Sequence, residues 1–199
     1  MSIIQSTEDF VRKNLEQETI NHTLRVRQIA LKLAETEEVD KEIVELAALL
    51  HDIGYMKGFK DHAKSGVPIT REFLTKQSYD PMKIGKIINC ITKHSGKETP
   101  QTTEEKIIWD SDCLDRIGAI GILRMSPKFV KYNLCKEEEL PEVLKTKLNS
   151  DADKLHTETA KKFAKQLVDY QNKFFKELQK QLDIINGDFD FFYKITKED

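Results

Sequence analysis

Apolar positions recur along this chain at spacings of three and four, the period of an amphipathic helix. The strict alternation that a half-buried strand requires appears nowhere. The spacing predicts a first helix starting after Ser6, with Glu8 and Asp9 at its positive end. A second is expected over about 21–38, carrying His22, Val26, Ile29 and Leu33 on one side. Asp40 caps a third, 41 to about 53, which Gly54 stops. Ile43, Val44, Leu46, Ala47, Ala48, Leu49 and Leu50 make that helix apolar on nearly all sides, so it belongs at the buried centre of the fold. A fourth helix is read over 65–77. Asp80-Pro81 opens a fifth, whose stripe runs Ile84, Ile87, Ile88, Ile91 and then His94. Thr102-Thr103-Glu104-Glu105 has the form of a capping box before a sixth helix reaching about Met125. Residues 126–150 read as irregular, with the Lys-Glu-Glu-Glu run a solvated loop or helix end, and 152–185 as one long amphipathic helix. The five prolines are expected between helices. The fold class is all-α, a helical bundle.

Composition narrows the class further. Eight glycines and five prolines in 199 residues are few for a turn-rich β protein. The 32 basic and 34 acidic side chains nearly cancel, so a long nucleic acid is not an expected partner. Cys90, Cys113 and Cys135 are odd in number and form no Cys-x-x-Cys pair, which argues against a disulfide framework and a thiolate zinc site. The first residues lack the basic-then-apolar pattern of a signal peptide. No run approaches the roughly 20 apolar residues of a membrane span. The expectation is a soluble cytoplasmic protein with no membrane partner.

The chemistry lies in which polar residues occupy apolar faces. His22 shares a face with Val26 and Ile29, His51 follows Ala47 and Ala48 by one turn, and His94 continues the Ile87, Ile91 stripe. Asp112 follows Ile108 and precedes Asp115 and Ala119 on one side of the sixth helix. A buried carboxylate must be paired or bind a cation. Asp52 directly follows an apolar run, and Asp112 follows Ile107-Ile108-Trp109. Two imidazoles and two carboxylates converging in a bundle form a mixed nitrogen and oxygen site for a divalent metal. The plainer alternative is two buried Asp–His ion pairs.

In order, His22, His51-Asp52 and Asp112 resemble the H…HD…D signature of the HD-domain metal-dependent phosphohydrolase superfamily. Leu46-Ala47-Ala48-Leu49-Leu50-His51-Asp52-Ile53-Gly54 is similar to that family's core helix. Asp110-Ser111-Asp112-Cys113-Leu114-Asp115 with Gly118-Ala119 resembles a segment of a small bacterial branch related to nucleotide pyrophosphatases, with Ser111 and Cys113 departing from its usual residues. The resemblance implies a single HD domain over 1–199, with a metal-site core at about 18–125 and a C-terminal helical extension at about 126–199 packing on it.

It further implies that His22, His51, Asp52 and Asp112 ligate a divalent ion, with Mn²⁺, Fe²⁺, Co²⁺, Ni²⁺ and Mg²⁺ all compatible. Activated water would then attack phosphorus in a nucleotide or another small phosphorylated metabolite. His62, in the glycine-rich stretch between Gly54 and Gly66, and His94 are assigned to phosphate contact or general acid chemistry rather than to a second metal. Asp115 joins them as a catalytic candidate, orienting a ligand or water. Lys57, Lys60, Lys64, Arg25 and Arg116 are the candidate substrate-binding residues. A di-iron oxygenase of the same architecture and a non-catalytic nucleotide sensor stay open as alternatives. His156 reads as incidental. The aromatic tail Asn186-Gly-Asp-Phe-Asp-Phe-Phe-Tyr193 is expected to dock on the bundle or on a second copy in a homo-oligomer.

Overall fold

A computed structural model of the chain describes residues 1–58, 61–95 and 98–187, with backbone alone at 137 and 186. The aromatic residues of the tail therefore lie outside the described residues, as does Lys60. Every regular element among those described is helical: α1 Ile3–Asn14, α2 Gln17–Leu33, α3 Lys41–Leu50, α4 His62–Lys76, α5 Pro81–Lys93, α6 Thr103–Asp115, α7 Gly118–Lys131, α8 Leu140–Asp153 and α9 Glu158–Leu182. Short 3-10 turns follow α3 at Ile53–Lys57, precede α8 and close α9. The expected all-α class is what the chain adopts.

The residues pack as two compact units. The first comprises Met1–Asp115 with Lys154–Phe163, and the second comprises Arg116–Asp153 with the chain from Ala164 on. In the first, α3 is the central element, its seven apolar residues fully buried among α1, α2, α5 and α6. The capping box forms in full: the Glu105 amide donates to Thr102 Oγ1 at 3.3 Å, and Glu105 Oε2 accepts from the amides of Thr102 and Gln101 at 3.1 and 2.6 Å. Lys93 donates to the same oxygen at 2.8 Å, tying α5 to the start of α6. Burial raises the Glu105 pKa, but these donors outweigh it and hold the group below the usual carboxylate range. Its stabilisation is therefore present above that range and fades as pH falls through it. Glu105→Ala is expected to cost about 2 kcal/mol at neutral pH, and less at pH 3, in urea unfolding.

Several boundaries differ from the sequence pattern, each for a local reason. Helix α1 starts at Ile3 because Ser2 Oγ accepts from the Gln5 amide, which leaves Glu8 and Asp9 in mid-helix. Helix α2 begins at Gln17 and stops at Leu33, where Thr36 Oγ1 takes the Leu33 carbonyl. Helix α3 ends at Leu50 rather than near 53. The sixth predicted helix is two helices, α6 and α7, broken at 116–117. Gly118 opens α7 at φ +69, where a Cβ would meet the Leu167 Cβ at 3.1 Å. Residues 140–153, read as irregular, form α8 with Leu144 and Leu148 buried, and Pro141 sits harmlessly in its first turn. Pro68 and Pro127 lie inside α4 and α7. Each is exposed, as is the residue four before it, so the carbonyl deprived of its N–H faces water.

Candidate metal centre

Helix ends deliver most of the candidate residues. His51 is the C-cap of α3 with Asp52 directly after it, and His94 is the C-cap of α5. His62 is the first residue of α4. His22 lies on α2, and Asp112 and Asp115 lie on α6. All but His62 are buried. Two of the imidazoles thus stand at C-terminal helix ends, where the partial negative charge of the helix favours a cation.

Three rings are fixed by their Nδ1 atoms. His51 Nδ1 is 2.8 Å from the Ala48 carbonyl and His94 Nδ1 is 2.6 Å from the Ile91 carbonyl, so both must donate there. His22 Nδ1 is 2.7 Å from Asp115 Oδ2. With Nδ1 committed as donor, each neutral ring turns an Nε2 lone pair inward. His22 Nε2 and His51 Nε2 stand 3.3 Å apart, and His94 Nε2 is 3.2 Å from His62 Nε2. Bare lone pairs that close repel, so the arrangement calls for a cation between them, a proton or a metal.

Carboxylates complete both halves. Asp52 Oδ2 is 3.4 Å from both His22 Nε2 and His51 Nε2, while its Oδ1 is 3.3 Å from His62 Nε2 and 3.5 Å from His94 Nε2. Asp112 Oδ1 is 3.3 Å from His22 Nε2. Donor atoms of His22, His51 and Asp112 all fall within 4.8 Å of one another, as do those of His51, Asp52 and His94. A divalent ion fits this donor set: neutral nitrogens and ionised oxygens, oriented from behind and converging.

Charge follows the same geometry. Burial works against a charged His22, yet hydrogen bonds to Asp112, Asp115 and Asp52 outweigh it and lift the ring to about 9. Burial likewise pushes Asp52 up, but the electrostatic pull of the neighbouring His51 and hydrogen bonds with His22, His51 and His94 hold it well below the carboxylate range. His94 is raised despite burial, through Asp52 and Asp112. Burial lowers His62.

The remaining candidates divide. Asp115 faces the back of His22, and Arg25 grips it through Nε at 2.6 Å and Nη2 at 3.1 Å. Asp115 therefore supports the His22 ring from behind rather than facing the converging atoms, and Arg25 is committed to it. Lys57 and Lys64 are exposed in the segment flanking His62. Arg116 opens the second unit, where its Nε lies 3.3 Å from Asp151 Oδ2. His156, expected to be incidental, lies edge-on to Trp109, and its amide donates to Asp110 at 2.8 Å. The Arg25–Asp115–His22 chain had a faint signal, since His22/Arg25 and Asp112/Asp115 are each three apart on a helix.

The HD domain family model matches residues 19–117, which contain every residue of this cluster. The chain belongs to the HD-domain family. The Lin1889 protein of Listeria innocua has a crystal structure that superposes on this HD-domain protein with a TM-score of 0.76, at 29% identity over 92% of this chain and 96% of that one. Bacillus subtilis YpgQ is 29% identical over 185 residues, 84% of this chain and 86% of YpgQ. Its crystal structure in complex with ADP gives a TM-score of 0.74 at 26% identity, covering 89% of this chain and 94% of that one. A predicted HD superfamily hydrolase from an uncultured Thermotogales bacterium gives 0.66 at 27% identity, over 89% and 92% of the two chains. No helix among the described residues is long and apolar enough to cross a membrane.

Proposed function

We propose that this HD-domain protein is a metal-dependent phosphohydrolase acting on a nucleotide or another small phosphorylated metabolite. The observation that carries it is the inward convergence of His22 Nε2, His51 Nε2, Asp52 Oδ2 and Asp112 Oδ1, with both rings fixed from behind. These four residues would hold the ion. A divalent ion there supplies Lewis-acid polarisation of a phosphoryl oxygen and a water of lowered pKa.

The protein's own groups then have distinct tasks. Asp115, braced by Arg25, keeps His22 in the tautomer that ligates. His94, whose Nδ1 proton is held by the Ile91 carbonyl, can take up a second proton only at Nε2, from which it would pass to a leaving oxygen. His62 stands beside it to contact phosphate, and Lys57, Lys60 and Lys64 are assigned to the same anion. YpgQ in complex with ADP supports the nucleotide class. A cytoplasmic location and homo-oligomeric assembly remain part of this reading.

One feature favours a second reading of His62 and His94. The two oxygens of Asp52 face two different imidazole pairs, so Asp52 with His22 and His51 on one side and His62 and His94 on the other would have donors for two ions. Two ions per chain on elemental analysis would support it, and two irons with oxygen consumption would instead indicate oxygenase chemistry. The test of the main reading is a phosphate- and pyrophosphate-release panel over nucleotides and small phosphate esters. Turnover is expected with Mn²⁺ or Mg²⁺, and nucleotide binding without turnover in either would overturn it. Asp115→Asn is expected to weaken Mn²⁺ binding by about 10- to 100-fold in a calorimetric titration, with folding retained.

A further inference from the structure

We infer that Tyr55 is a positioning residue that holds the His62 ring at the edge of the cluster. This rests on the reading above in which His62 takes part in the chemistry. Three imidazoles of the cluster are fixed through Nδ1, to Asp115, Ala48 and Ile91. His62 differs: among the described residues, no hydrogen bond is made to its Nδ1, and its side chain keeps 21% exposure. What covers it is Tyr55, whose ring stacks on the imidazole with centroids 4.4 Å apart and planes within 5°.

Sequence and backbone make this contact specific. Tyr55 lies on the 3-10 turn directly after the His51-Asp52 pair, so the turn that supplies Asp52 also supplies the platform. Gly54 brings the two segments together, since its bare Cα lets the His62 carbonyl approach closer than any Cβ would permit. Asp61, at φ 55, turns the chain so that α4 starts with His62. The backbone of His62 is thus set by Gly54. Its ring plane is set by Tyr55, which aims Nε2 at Asp52 Oδ1 and His94 Nε2, 3.3 and 3.2 Å away. A flat aromatic face can fix a ring plane without occupying Nδ1, which leaves that atom available to a substrate.

The test is residue-resolved modification by diethyl pyrocarbonate, read by mass spectrometry on the full chain, alongside Mn²⁺-supported turnover. In Tyr55→Leu, His62 should be modified several-fold faster than in wild type, while His22, His51 and His94 stay protected and report an intact fold. Tyr55→Phe keeps the ring and should behave as wild type in both measurements. Tyr55→Met replaces the Leu variant should that one unfold. On the phosphohydrolase reading, the ring-less variant also loses about 10-fold in kcat with little change in KM, as expected for a residue acting through another. Equal His62 modification in wild-type and ring-less chains would overturn the inference, as would a Phe variant that labels like the ring-less one. If no chain shows turnover, the phosphohydrolase reading fails, and the labelling still decides the role of Tyr55.

Discussion

Replacing His51 with alanine is expected to abolish divalent-dependent phosphate release, a loss of at least about 100-fold. His51 is fully buried, and its Nε2 faces both His22 and Asp52 from the C-terminal end of α3. Removing the ring takes away one donor and one of the groups that keep Asp52 ionised. Because the deletion also opens space in the core, the stricter arm uses the unmutated chain. A strong chelator should remove turnover, and added Mn²⁺ should restore it with no change in the circular dichroism spectrum. Activity that survives both chelation and the substitution would sink the metal-dependent reading. Loss on chelation that no divalent ion restores would point to unfolding of the stripped protein instead.

The second large effect concerns stability. Gly54→Ala places a methyl group 1.8 Å from the His62 carbonyl oxygen and 2.7 Å from the Gly66 nitrogen. Both obstacles are backbone, so no side-chain rotation relieves them. The expected cost is at least about 3 kcal/mol, at the upper end of overpacking effects, because α4 must move bodily off the 3-10 turn. Urea unfolding of the variant measures it directly. Where the variant still folds, His62 should lose its place against Asp52, so activity should fall by more than the unfolded fraction explains. A variant with wild-type stability would show that the close approach of these two segments is not rigid.

Helical periodicity made the central features legible. The wholly apolar run 43–50 identified the buried helix, and the imidazoles and carboxylates at its end and on its neighbours' apolar faces identified the cluster. What stayed hidden depended on contacts distant in the chain. The apolar pattern runs unbroken through 116–117, so nothing local announced that Gly118 must turn there to clear Leu167. Gly54 looked like a helix stop, although its requirement comes from a carbonyl eight residues later. Helix α8 was masked by the charged residues before it, despite Leu144 and Leu148 one turn apart. Arg116 sits one residue after Asp115, and its ion pair with Asp151, 35 residues on, has no local signal.

The break between α6 and α7 bears on how this protein can be divided. Asp110 is fully buried two residues before Asp112, and its carboxylate accepts three hydrogen bonds, all from residues 156 and 157. A fragment ending at residue 117 would contain the whole HD-family match yet strip that carboxylate of every one of these donors. Burial already raises the Asp110 pKa, and without them the group would have to take up a proton or draw water into the helix that carries Asp112. The unit that carries the histidine–aspartate cluster is thus not a contiguous stretch of gene: it is closed by a clasp more than forty residues downstream, and neither piece of a chain cut between them should retain the cluster.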